Sequence, residues 1–453
     1  MAKRLFWSFF LVFLGGFSSL SWAEDALLEK AEALLKAGSY EEAALAYEAY
    51  LAQDYGRLEA HLGLGVALAK AGRLQEARFA FDQMTRLFPE RYEGFFNLGQ
   101  VLLLLGKPQE AAEALARAAE LRPTEEAYLA LAQALAQAGN AQGAAEALRK
   151  GLAPERSAAY RLALAQALYA SGARSEAVPV LYALLNREPK VAEAWDLLAL
   201  ILAEEGLKGR ALRELDRGLA QVEGKGRARL LLRKALLSPN PEPLLKEAYA
   251  LDPGLWTAAY LLGRSRLEAK DPKGALPYLL SAYRTAPEPE VALALAGAYW
   301  ALGDYKNAYR YAGEAGPAGR FLKAQAAHRL GRREEALALL EGLATPEALS
   351  LRGVLLLELG RAEEAVAALG QAYQATPSPE VGANLGAALV ALRRYGEAEV
   401  VLREVLLKAP RLSAAWYNLG LALRALDRQA EAERALRQAA LLGSKEAEAL
   451  LRR

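Results

Sequence analysis

Residues 92–125 read YEGFFNLGQVLLLLGKPQEAAEALARAAELRPTE, and a complete helical hairpin can be read from them. Phe95, Leu98, Gly99 and Leu102 fall at i, i+3, i+4 and i+7, the stripe of a first helix. Gly106 supplies a left-handed stop, and Pro108 suits the first turn of a second helix. Ala111, Leu115 and Ala118 form the stripe of that second helix. Gly99 and Ala111 are small, as a close approach of the two helices requires. Pro123 then ends the second helix and turns the chain into the next hairpin.

The same punctuation recurs outward in both directions. Glycines stand at 38, 72, 106, 139, 172 and 206, then again at 303, 331 and 360. Five residues after each comes an alanine: Ala43, Ala77, Ala111, Ala144, Ala177, Ala211, Ala308, Ala336 and Ala365. Four residues further on lies a large apolar side chain in eight of the nine cases, as at Tyr47, Phe81, Leu115, Leu148 and Leu215. Proline closes several units, at Pro89, Pro123, Pro189, Pro377 and Pro410. A period of 33 or 34 residues in the first six units means stacked repeats.

This pattern resembles the tetratricopeptide repeat, and Trp416-Tyr417-Asn418-Leu419-Gly420 is close to the family's first-helix signature. The resemblance implies an all-α fold: a right-handed superhelical solenoid of about 12–13 antiparallel helical hairpins. The units divide into an N-terminal block over residues 24–221 and a C-terminal block over 256–453 that ends in a polar cap helix. Residues 222–255 lack a turn glycine and carry Pro239, Pro241 and Pro243, so they read as a shortened, irregular joint. Units around Gly303 and Gly331 are also short. Arg393 and Asp427 replace the turn glycine in the last two units, while Ala398 and Ala432 keep the register.

Residues 1–23 read as a signal peptide rather than as fold. Lys3 and Arg4 precede an uncharged, mostly apolar run from Leu5 to Leu20, and Ser21-Trp22-Ala23 offers a cleavage site. The run is short for a membrane span, which needs roughly 20 residues; a retained N-terminal anchor is the alternative. The segment implies export to the periplasm or the cell exterior, with no membrane insertion after cleavage. Loss of Lys3 and Arg4 takes the 56 basic residues down to the number of acidic ones, 54. Such a balance argues against a nucleic-acid partner. With no cysteine, disulfides and thiolate metal sites are excluded.

Catalytic groups do not converge. The two histidines, His61 and His328, lie on distant repeats, so neither a catalytic nor a metal site is expected, nor a cofactor. Glu pairs such as Glu41-Glu42 and Glu363-Glu364 come just after turn glycines, where acidic charge favours a helix N-terminus. Gly224-Lys225-Gly226 has no strand before it and the wrong spacing for a phosphate loop.

The resemblance implies a concave groove lined by first helices, with an asparagine two positions before the small residue reaching into it. Asn97, Asn384 and Asn418 occupy that position, three of the chain's seven asparagines. An amide pairs with both the donor and the acceptor of a peptide backbone, or with sugar hydroxyls. Gln100, Gln133, Gln166 and Gln325 lie three residues beyond that position, and Phe96 and Tyr417 are neighbours able to stack. Glu59, Glu93, Glu126, Glu193, Glu290, Glu347 and Glu380 stand four residues before it, where family members that grip a carboxylate carry basic residues. A carboxylate ligand is disfavoured there, and an extended segment of basic or neutral polar character fits better. The expected function is a non-enzymatic, extracytoplasmic scaffold that binds protein partners of the cell envelope. A polysaccharide-binding or polysaccharide-export scaffold is the alternative.

Overall fold

Helix formation is favoured by a chain rich in Ala, Leu, Glu and Arg, with Ile201 as its only isoleucine. The computed structural model describes residues 25–151, 153 and 156–452, so the signal segment expected at residues 1–23 lies outside it. The described residues form twenty-seven α-helices: thirteen successive pairs and a last single helix, Lys445–Leu451. No described helix is long and apolar enough to cross a membrane. The chain divides into two compact units after Arg233, within the helix Gly224–Leu237.

The hairpin read at residues 92–125 folds as Tyr92–Leu104 and Pro108–Leu121. Between them Gly106 has φ +71°, and the amides of Gly106 and Lys107 donate to the carbonyls of Leu103 and Leu102 at 3.1 and 2.9 Å. That pair of bonds satisfies carbonyls the ending helix would leave open. The same left-handed position is taken by Lys270, Arg393 and Asp427 at φ 59° in the C-terminal unit. Their amide bonds repeat the pattern, as in Arg393 to Val390 and Arg394 to Leu389. Lys270 identifies the unit Trp256–Glu268 and Pro272–Thr285, whose register alanine, Ala275, is fully buried.

Most hairpins are closed by one recurring contact. A Cβ on Gly99 would stand 2.4 Å from Leu115 Cγ, so the glycine is required by the leucine's position. Gly65 meets Phe81 in the same way, as do Gly263 and Leu279, Gly353 and Leu369, Gly386 and Leu402, and Gly420 and Leu436. The partners are always sixteen residues apart. Elsewhere an alanine takes the small position, for example Ala165 against Leu181, both fully buried.

Residues 222–255, expected as a shortened, irregular joint, hold two helices. They contain a helix of 14 residues, Gly224–Leu237, and one of 10, Glu242–Leu251, with Pro239 and Pro241 in the connection. Short second helices recur further along, Tyr305–Glu314 with 10 residues and Arg333–Leu339 with 7, where the units around Gly303 and Gly331 were expected to be short. After the first of these, Gly316–Gly319 makes a 3-10 turn. A Cβ on Gly319 would lie 2.0 Å from the Ala312 carbonyl oxygen, so only glycine fits there.

The acidic residues after the turns close onto the residue that precedes each second helix. Arg73 holds Glu76, Lys107 holds Glu110, Arg361 holds Glu364, Arg394 holds Glu397 and Arg428 holds Glu431. The hydrogen bond from arginine keeps the Glu76, Glu364, Glu397 and Glu431 carboxyls below the usual carboxylate range. Such exposed pairs add little stability singly; they fix which end of the helix the acid serves.

Substitutions at the helix contact and at the turn test this packing. Ala111→Leu overpacks the fully buried helix contact, and urea unfolding should show a loss of about 1–3 kcal/mol. Lys270→Gly and Arg393→Gly relieve a left-handed strain of roughly 1–2 kcal/mol, part of which is offset by added freedom in the unfolded chain. Each should raise the urea midpoint of the C-terminal unit, and a fall would refute the strain.

Candidate functional site on the inner face of the first helices

Within each unit, successive first helices approach one another directly. In the N-terminal unit Leu58–Lys70 meets Tyr92–Leu104, which meets Glu125–Gln137, which meets Ala158–Ala170. In the C-terminal unit the run from Trp256–Glu268 to Ser413–Ala425 behaves likewise. Second helices make no comparable approach to one another among the described residues. A double layer that is tighter on one side curves toward that side, so the first helices form the inner face of each unit.

Asn97 lies half-buried on this face, and its Nδ2 donates to the Glu93 carbonyl at 2.9 Å. That bond orients the amide and leaves its oxygen without an intrachain donor among the described residues. Gln100 stands one turn further along, half-buried, while Gln133 and Gln166 are exposed at the equivalent positions of the next two first helices. The four amides therefore form one row in the N-terminal unit. Glu93 and Glu126 flank it and make no ion pair among the described residues, whereas Arg57 neutralises Glu59 at 3.0 Å and Arg229 neutralises Glu193 at 2.6 Å.

Phe96 is a correction. Expected to face a ligand, it is only 6% exposed and stacks on Tyr92 with ring centroids 5.2 Å apart. The Tyr92 hydroxyl, in turn, has its pKa raised, chiefly by burial. A first helix is covered by its own partner and by neighbouring helices, so its free strip is narrower than one apolar stripe suggests. Asn97 and Gln100 lie on that strip; Phe96 does not.

The second group lies in the C-terminal unit. Asn384 and Asn418, both half-buried, sit at equivalent positions on Pro379–Ala391 and Ser413–Ala425, which touch. Tyr417 is half-buried and packs against Leu436, Ala439 and Ala447, so its ring also seats the terminal helix.

The histidines are locally engaged. His61 is buried, with Nε2 2.7 Å from the Tyr55 carbonyl oxygen and the Tyr55 ring edge-on at 4.9 Å. His328 Nε2 lies 3.0 Å from Glu358, which Arg333 also grips at 2.6 Å. Burial works against the Glu358 carboxylate, but the bonds from Arg333 and His328 outweigh it and hold its pKa below the ordinary value. One cluster was not found by sequence reasoning: Arg329 lies with its guanidinium carbon 6.0 Å from the Trp300 ring centre and 5.6 Å from that of Tyr305. Its signal is positional. Arg329 stands two residues before a turn glycine, where Glu204 and Glu358 stand in other units.

Models of the tetratricopeptide repeat match residues 28–92 and 384–449, 92–125, and 317–341 with 346–371. No curated protein matches the chain. Among solved structures, the Cut9-Hcn1 hetero-tetramer of the APC/C is similar at 16% identity over 96% of each chain, TM-score 0.41. The C-terminal part of a TPR repeat-containing protein from Cytophaga hutchinsonii is similar at 17% identity, over 51% of this chain and 97% of its own, TM-score 0.43. A tetratricopeptide repeat protein from Parabacteroides merdae is similar at 18% identity, over 53% of this chain and 97% of its own, TM-score 0.38. Repeat matches spread from residue 28 to residue 449 fall on successive helix pairs closed by one small-to-large contact. The chain is a tetratricopeptide repeat protein, a scaffold for protein–protein contacts.

Proposed function

We propose that this scaffold works outside the cytoplasm, where its inner face holds extended segments of partner proteins in a cell-envelope assembly. The observation that carries the reading is the row of Asn97, Gln100, Gln133 and Gln166 on touching first helices. Amides spaced along a strip present donors and acceptors to an extended backbone, which repeats its own polar groups at regular intervals. Glu93 and Glu126 beside them favour a basic or neutral polar segment over an acidic one at this patch. Export is supported by the basic, apolar and small-residue layout of residues 1–23.

Two experiments test the reading. Asn97→Ala and Asn418→Ala should each lower partner capture at least several-fold in crosslinking of native envelope fractions, with the melting temperature almost unchanged. A large stability loss at either position would make that asparagine structural. Fractionation of the host should place the chain in the envelope or outside the cell with residues 1–23 removed; a cytoplasmic, uncleaved chain would end the extracytoplasmic assignment. Retention of envelope polysaccharide without any protein would instead favour a glycan ligand.

A further inference from the structure

Three repeat positions meet at the edge of the inner face: the penultimate residue of a first helix, the opening residue of its second helix, and the final residue of the next first helix. At Tyr169, Arg174 and Glu204 they make a closed polar set. The Tyr169 hydroxyl donates to Glu204 at 2.7 Å, and Arg174 pairs with the same carboxylate at 3.0 Å. His328, Arg333 and Glu358 repeat the arrangement, with contacts of 3.0 and 2.6 Å. In both sets a carboxylate at the third position is engaged by the other two, with the arginine supplying the opposite charge.

Trp300, Tyr305 and Arg329 hold these positions in the C-terminal unit with the charge inverted. A guanidinium replaces the carboxylate, and two aromatic rings replace its partners. The Trp300 and Tyr305 rings meet at 5.1 Å and 60°, and both lie near the Arg329 guanidinium. Rings near a guanidinium restrain it by cation–π attraction without using its N–H donors. Arg329 is exposed and makes no ion pair among the described residues. The neighbouring acids are already engaged: Glu358 by His328 and Arg333, and Asp304 by the amide and side chain of Asn307.

The ground beside this guanidinium is open. Gly297 lies one turn before Trp300 on Pro289–Ala301, and a Cβ there would meet nothing within 4 Å. Glycine inside a helix is destabilising relative to alanine, and no packing contact requires it here. Its absent side chain lets another backbone approach. Gln325, one turn before Arg329 on Arg320–Arg329, offers an amide to such a backbone.

We propose that Arg329, held by Trp300 and Tyr305, docks a carboxylate side chain of an acidic, extended segment of a protein partner, whose backbone passes over Gly297 and pairs with Gln325. The guanidinium fork suits a carboxylate through two parallel hydrogen bonds. This rests on the inner face being the partner-binding face, but it uses none of the amide row at Asn97 and assigns the opposite ligand charge at a different patch.

Fluorescein-labelled peptides of alternating Glu and Gly, Gln and Gly, or Lys and Gly, with an oligogalacturonate as the glycan carboxylate, would be titrated against the protein by anisotropy at low salt. The Glu peptide should bind at least tenfold more tightly than the Gln peptide. Arg329→Glu should remove that difference, and Arg329→Lys should keep part of it. The double variant Tyr305→Arg/Arg329→Glu places an ion pair like that of Arg174 and Glu204 at these two positions, so it should fold and still lose the binding. Equal binding of the Glu and Gln peptides, or wild-type binding by either Arg329→Glu protein, would overturn the proposal. So would an Arg329-dependent preference for oligogalacturonate over peptide. If Asn97→Ala impairs envelope capture while the peptides show no dependence on Arg329, the inner-face reading stands and this site falls; if neither region matters, the inner-face reading itself fails.

Discussion

The hairpins depend on one helix being able to lie almost against the next. A small residue on the first helix, Gly99 in the best-formed repeat, receives the side chain sixteen residues later, Leu115. The close approach buries both stripes and sets the crossing of the two helices. With that contact in place, the turn has only to reverse the chain, and the surface residues are left free to differ. They do differ, and the differences among the third-position residues Glu204, Arg329 and Glu358 separate closed structural sets from an open cation.

The repeat was legible because its constraints are local and periodic. A left-handed turn calls for glycine, five residues on a buried helix needs alanine, and both leave a mark in the sequence. Where Lys270 takes the left-handed position the mark disappears, although the backbone is unchanged at φ 59°. The same bonds to the last carbonyls form, because packing of the two helices outweighs the steric cost of one side chain. At residues 222–255 Pro239 and Pro241 mark the connection between a helix of 14 residues and one of 10, the second no longer than Tyr305–Glu314.

The inner face was legible only in part. Asn97, Gln100, Asn384 and Asn418 are found from repeat position, since that position alone places them on the first-helix layer. Phe96 failed because exposure there is decided by Tyr92 and by neighbouring helices, not by the stripe of its own helix. Arg329 was invisible for a related reason: its rings, Trp300 and Tyr305, come from another repeat, 29 and 24 residues earlier. What distinguishes it from Glu358 is the identity of its neighbours in space, and no window of sequence the length of one helix contains them.

The inequality between the two layers has a mechanical consequence. First helices touch one another along each unit, while each second helix packs between its own first helix and the first helix of the next repeat. The inner layer is therefore a chain of direct contacts, and each outer helix is a strut held between two first helices. Such a stack bends at single joints, because each repeat is coupled only to its nearest neighbours. A side chain wedged between two first helices opens one joint and changes the local curvature there, leaving the packing inside every hairpin intact.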